Sequence, residues 1–191
     1  MTLLTPQQSA TLKTDIEVDP VLSLLPPNNS DSANTIAEAY KLFPSVDFYV
    51  FRTDVRKDEI QNCIIYDNMT PMQAVPTSTQ LAVDIWTARC LLAQSKQFNL
   101  QNLLLGVETF NFSLSNIRKG FQDALTALPT KSDGTNQNAG WATLQAVIYR
   151  KANRLEKLLA TGDGTTALPA TMGVEGSLTY SEIAIVLNWS I

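Results

Sequence analysis

The sequence predicts a mainly α fold, a single helical-bundle-like domain over residues 1–191 with one or two short extended segments, and three observations predict it. Apolar residues recur at spacings of three and four through most of the chain. Three helix-start signals place Thr three residues before Gln or Glu, at Thr5 to Gln8, Thr77 to Gln80 and Thr179 to Glu182. In each, the hydroxyl can accept an orphan amide while the later side chain reaches back to the cap. Strand-like composition is confined to one stretch, residues 46–52. With 45% hydrophobic residues, 191 residues suffice for one continuous core.

The first helix is expected over residues 6–18, with Pro6 at its first position, where a missing N–H costs nothing. Asp19-Pro20 restarts a short turn ending at Pro26-Pro27. After a loop over 28–31, Ser30 or Asp31 caps a second helix through Ile36, Ala37, Tyr40 and Leu42, stopped by Phe43-Pro44 because the residue before proline avoids the α region. The aromatic and β-branched stretch 46–52 follows, then a short helix over 56–65. Thr70-Pro71 and Pro76 break the chain before a long helix over 79–97.

That long helix is apolar on two sides. Leu81, Ile85, Ala88 and Leu92 share a narrow arc, and Val83, Trp86 and Cys90 lie near the opposite one. It is either buried inside the domain or packs one side on the core and the other, at Val83 and Trp86, on a partner chain. A short apolar helix is expected over 100–107, and another over 114–128, capped by Ser113 and ended by Pro129. Residues 130–140 form a polar, glycine-containing surface loop. The spacing of Trp141, Leu144, Ile148, Ala152, Leu155 and Leu159 predicts one amphipathic helix over 141–160, with Gly162 as its C-cap. Residues 161–178 are expected to be irregular, and a last helix to span 180–188. There is no internal repeat and no low-complexity tract.

Composition narrows the function. Fourteen basic and eighteen acidic residues leave a net charge of −4, which opposes non-specific nucleic-acid binding. Charged residues are 17% of the chain, against roughly 25% in an average soluble protein, so Asn, Gln, Ser and Thr supply much of the polar surface. Histidine is absent, which removes the usual general base, the usual zinc ligand and the Ser/His and Cys/His nucleophilic pairs. The only cysteines, Cys63 and Cys90, stand outside any C-x-x-C pattern and are expected as buried thiols. Neither a signal-like N-terminus nor an apolar run of membrane-spanning length occurs. These features predict a soluble chain with no catalytic residues, no metal site and no cofactor.

Three patterns compete with structural readings. Arg150, Arg154 and Lys157 fall within about 60° of one another on the expected 141–160 helix, opposite its apolar side. They form either an ordinary charged face paired with Glu156, or a strip that docks an acidic partner or lines a nucleic-acid conduit. The run Thr161-Gly-Asp-Gly-Thr-Thr166 is a helix-terminating loop, or a phosphate nest or calcium turn lacking the rest of either motif. Asp58, Glu59, Asp67 and Glu108 have no spacing that brings them together as a carboxylate pair. The C-terminus, 183–191, is apolar and packs either on its own core or, through Trp189 and Ile191, into a neighbouring subunit.

Several segments carry a family resemblance. They are Asn29-Ser-Asp31, Arg52-Thr53, Ile117-Arg118, the run Arg150-Lys-Ala-Asn-Arg-Leu-Glu-Lys-Leu-Leu-Ala-Thr-Gly-Asp-Gly-Thr-Thr166, Pro169-Ala-Thr171 and Glu175-Gly-Ser-Leu-Thr-Tyr180. Together they resemble a group of small proteins encoded among the structural genes of tailed bacteriophages. Residues 98–110 depart from the group's pattern. The resemblance implies a virion structural protein, assembled in the host cytoplasm, and supplies no catalytic residue. The helical reading favours a head–tail connector of the adaptor or neck class, because tube proteins are typically β-rich. The implied partners are portal, neck or tail subunits and further copies of this chain in a ring, with no membrane and no sequence-specific nucleic acid. A tail or baseplate accessory protein and a non-virion phage enzyme or regulator are the alternatives.

Overall fold

The computed structural model describes residues 4–70, 80–129 and 138–191. Its elements, in chain order, are α1 (Pro6–Val18), α2 (Ser30–Lys41), β1 (Tyr49–Phe51), β2 (Val55–Arg56), α3 (Lys57–Cys63), α4 (Gln80–Leu104), β3 (Thr109–Phe110), α5 (Ser115–Leu125), α6 (Trp141–Val147), β4 (Tyr149–Lys151), α7 (Arg154–Leu159) and α8 (Tyr180–Leu187). The fold is mainly α, with short two-stranded sheets β1–β4 and β2–β3, both antiparallel. Where a single domain is expected from length, the chain divides into two compact units: Met1–Phe51 with Tyr149–Ile191, and Arg52–Ile148.

In the first unit, helix starts follow the sequence closely. Thr5 Oγ1 accepts from Gln8 N–H while Gln8 Oε1 accepts from Thr5 N–H, at 3.3 and 2.8 Å. Thr179 and Glu182 make the same reciprocal cap on α8. The cap of α2 is instead Asn29, whose Oδ1 accepts from Asp31 and Ser32 N–H, one residue before the expected Ser30 and two before Asp31. Asn29 prevails because it alone has the extended backbone of a cap with both orphan amides in reach. Leu12 and Ile16 of α1, Ile36 and Tyr40 of α2, Leu155 of α7, and Leu178 and Ile183 at α8 bury together.

The expected helix over 141–160 does not form. Of its apolar positions, Trp141, Leu144, Ile148, Ala152 and Leu155 are buried and Leu159 is half-buried, but in separate clusters rather than along one helix. Between α6 and α7 the chain extends as β4, where Tyr149, Arg150 and Lys151 lie opposite Phe51, Val50 and Tyr49. Asn153 then starts α7: its Oδ1 accepts from Glu156 N–H at 2.9 Å, and Glu156 Oε2 accepts from Asn153 N–H at 3.1 Å. Strand pairing and a new cap override the helical period, a case of tertiary context outweighing local pattern. The strand expected over 46–52 is shorter, β1 over Tyr49–Phe51. Residues 161–178 have no helix or named strand, only isolated bridges Thr161 to Thr171 and Val50 to Ala170.

In the second unit, the helices expected over 79–97 and 100–107 are one, α4, of 25 residues. Residues 98–99 carry no breaker. Cys90, Ala93, Leu100 and Leu104 are buried along one side of α4, with Lys96 buried among them and its ammonium donating to the Asp123 carbonyl. Helix α5 buries Phe121, Ala124 and Leu125, and Phe121 packs 5.3 Å from both Phe110 and Phe112, ring centre to ring centre. Ser113 does not cap α5: its hydroxyl bonds Asn111 Oδ1, and Leu114 occupies the cap position. Gly140 precedes α6 at φ +100°, and a Cβ there would lie 1.9 Å from the Cys63 carbonyl oxygen. Only glycine fits both demands. The start signal at Thr77, the breaks at Pro71 and Pro76, and most of the expected 130–140 loop lie outside the described residues.

Candidate functional site

The residues singled out as candidate interface, Arg150, Arg154, Lys157, Val83, Trp86, Trp189 and Ile191, do not form one site. Arg150 lies on β4 rather than on a helix with Arg154, so the basic strip expected of a continuous helix does not exist. Its guanidinium makes a two-point contact with Glu156, Nη1 to Oε2 and Nη2 to Oε1, both at 2.8 Å, and also approaches Glu175 Oε1 and the Met172 sulfur. Glu156 is 2% exposed. Burial opposes its ionisation, but the Arg150 hydrogen bonds and the backbone N–H groups of Gly176 and Asn153 outweigh burial and hold the carboxyl below its ordinary value.

Arg154 has a different set of partners. Its Nη2 lies 2.9 Å from Asp15 Oδ2 and 2.8 Å from Asp19 Oδ2, and its guanidinium carbon sits 4.6 Å over the Tyr40 ring. Asp19 is held below its ordinary value, first by the Leu22 and Val21 N–H groups and then by Arg154. The Tyr40 hydroxyl donates to Asp15, and burial followed by that hydrogen bond drives its pKa well above the ordinary range. Of the three cations only Lys157 is exposed, its ammonium 5.8 Å from the centre of the Phe48 ring.

Arg154 and Lys157 border a cleft of about 470 Å³ whose walls include Ala39, Leu42, Phe43 and Leu158. Since Arg154 is neutralised by two carboxylates, Lys157 is the cation this cleft can offer an anionic group. The second unit has a cleft of about 410 Å³ between Met69, Leu100 and Leu104, rimmed by Lys57, Gln61, Tyr66, Gln97 and Gln101.

The glycine run after α7 has a packing role. Gly164 is buried with its carbonyl accepting from Tyr49 N–H at 2.7 Å, and a Cβ there would fall 2.1 Å from the Phe48 ring. Among the acidic residues, Glu59 is engaged by Arg52 and Asp58 by Arg56. No group of three His, Cys, Asp or Glu residues among the described residues is placed to hold a metal ion. Cys63 and Cys90 are buried free thiols, and burial pushes the Cys63 thiol up.

The remaining candidates separate in the same way. Trp189 packs, partly buried, on its own unit's core, and Ile191 is exposed. Val83 and Trp86 are half-buried on the core side of α4. The opposite side is the exposed one, carrying Ile85, Leu91, Leu92 and Phe98, so α4 is not enclosed within the protein. Sequence reasoning named Glu156 as a local partner of the basic residues, and the Arg150–Glu156 pair is present, but it passed over the cap, although Asn153-x-x-Glu156 is a helix-start signal of the kind recognised elsewhere in the chain. No protein-family model, curated protein or solved structure matches the chain.

Proposed function

We propose that this protein is a non-enzymatic structural component of a tailed-phage virion, a head–tail connector of the adaptor or neck class that works by protein–protein contact. The observation that carries the reading is the amount of large apolar surface both units leave exposed. In the first unit Leu24, Leu42, Phe43 and Val46 are exposed, and in the second Leu91, Phe98 and Leu105 are. Neighbouring exposed apolar side chains, as at Leu42 and Phe43, suit a surface that another protein covers. The charged groups lend support, since Arg52 and Arg150 are paired with Glu59 and Glu156 in holding the fold, and Arg154, which borders the first unit's cleft, is neutralised there by Asp15 and Asp19. Portal, neck or tail subunits and further copies of the chain in a ring are the partners proposed, within a virion assembled in the host cytoplasm.

Mass spectrometry of purified particles tests the proposal. The chain is expected in stoichiometric amount, and co-purification with the portal in a ring distinguishes a connector from a tail or baseplate accessory protein. Absence from particles, or turnover by the isolated protein that one Asp or Glu substitution abolishes, overturns it.

A further inference from the structure

The exposed side of α4 repeats every seven residues. Leu91, Phe98 and Leu105 are 60%, 62% and 77% exposed, and between them at the same interval stand the exposed small or polar residues Ala88, Ser95 and Asn102. Leu105 lies one residue past the helix end, its N–H still bonded to the Asn102 carbonyl. Spacings alternating between three and four are those of a coiled-coil seam, with Ala88, Ser95 and Asn102 at a and Leu91, Phe98 and Leu105 at d. The flanking positions are exposed too: Ile85, Leu92 and Asn99 on one side, Thr87, Gln94 and Gln101 on the other. The core is served by a different set, Cys90, Ala93, Leu100 and Leu104. This helix therefore has two complete sides, of which the protein's own core uses one.

We infer that this side of α4 binds the same side of a second copy of the chain, antiparallel, about a two-fold axis beside residues 96 and 97. The charge pattern identifies the occupant. From Ile85 to Leu105 the charged residues are Arg89 and Lys96, and neither stands at an a, d, e or g position. A wholly neutral seam meets no like charge in its own copy, whereas a charged partner helix would bury ions without counterparts. Side-chain size sets the direction. Antiparallel pairing places Ala88 against the second copy's Leu105, Ser95 against its Phe98 and Asn102 against its Leu91, a small residue facing a large one in every layer. Parallel pairing would stack Phe98 on Phe98 and Ala88 on Ala88, alternating crowded layers with voids.

The seam from Ala88 to Leu105 is about 26 Å long at 1.5 Å per residue and roughly 10 Å wide. That is well below the ~800 Å² per partner of a standard stable interface, so the dimer formed is of the weak, concentration-dependent class. Being two-fold, the contact closes at two copies, and a ring needs a further head-to-tail contact. For its biological setting the inference rests on the proposed virion role, where other contacts hold copies close together.

Sedimentation equilibrium on the intact protein, from micromolar to near-millimolar concentration, tests it. A monomer–dimer equilibrium is expected. Phe98→Lys should raise the dissociation constant about a hundredfold or more, because the two-fold contact takes in the substitution twice, while leaving the melting temperature unchanged. Leu114→Lys, at an exposed apolar residue off α4, should change neither. A protein monomeric throughout overturns the inference, as does a dimer indifferent to Phe98→Lys. For direction, Ala88→Cys protein mixed with Leu105→Cys protein should form a mixed disulfide. Cross-linking of Ala88→Cys to itself overturns the antiparallel arrangement. A dimer that is absent from particles removes the virion role and leaves this contact standing; a monomer found in particles does the reverse.

Discussion

The two units use the same local device and bury it to different depths. In each, an arginine makes a two-point contact with a glutamate at the third position of a following helix, and that glutamate also accepts from the backbone N–H at the helix start. The first unit pairs Arg150 with Glu156, capping α7 at Asn153. The second pairs Arg52 with Glu59, capping α3 at Arg56, with distances of 2.9 and 3.2 Å to the two carboxylate oxygens. Glu156 is 2% exposed and Glu59 is 26% exposed. Water can take the place of a lost partner for Glu59 and cannot for Glu156, which also accepts from Gly176 N–H, so similar connectivity has unequal energetic weight. The second unit's least replaceable feature is elsewhere, in the backbone approach of Gly140 to Cys63.

Gly140→Ala is expected to have the largest effect. It combines a φ of +100° with a Cβ inside the Cys63 carbonyl, and should destabilise the protein by about 3 kcal/mol or more in denaturant unfolding. An effect below 1 kcal/mol would show that the α6 junction can shift. Glu156→Gln should cost about 3 kcal/mol, since Arg150 loses its nearest ionic partner inside the protein and the Asn153 and Gly176 N–H groups lose a charged acceptor. Glu59→Gln should cost about 1 kcal/mol in the same assay, as expected of a pair open to water. Equal losses at the two glutamates would break the comparison.

The smallest expected effect sharpens it through pH. Both carboxyls are held below their ordinary values in the folded protein. A group whose folded pKa is depressed contributes stability that is fully present above its unfolded pKa and is lost as pH falls through the folded one. Stability should therefore decline below the usual carboxylate range. The decline between that range and the folded pKa should be shallower in Glu156→Gln and in Glu59→Gln than in the parent. Parallel acid limbs for parent and variants would contradict the assigned shifts.

Much of this could be read along the chain because it is local. Thr5, Thr179 and their partners three residues on mark helix starts through contacts within one turn, and they do so in the structure. Pro44 follows the end of α2. The buried positions from Trp141 to Leu155 were also legible, since burial follows the apolar pattern whatever backbone carries it. Which backbone carries it was not. A spacing of three and four fits α6, β4 and α7 in succession as well as one helix, and only β1 lying alongside residues 149–151 selects the strand.

By itself, then, the sequence determined the mainly helical class, the starts of α1 and α8, most of the apolar positions and the absence of histidine. These depend on residue type and on neighbours a few positions away. Tertiary structure alone decided that the chain forms two units, that Arg154 is held by Asp15 with Asp19, and which side of α4 meets the core. An apolar helix side carries no mark of what will cover it, and an arginine carries none of which carboxylate will reach it. For Arg154 the carboxylate is Asp15, more than a hundred positions away and brought alongside only when the chain folds.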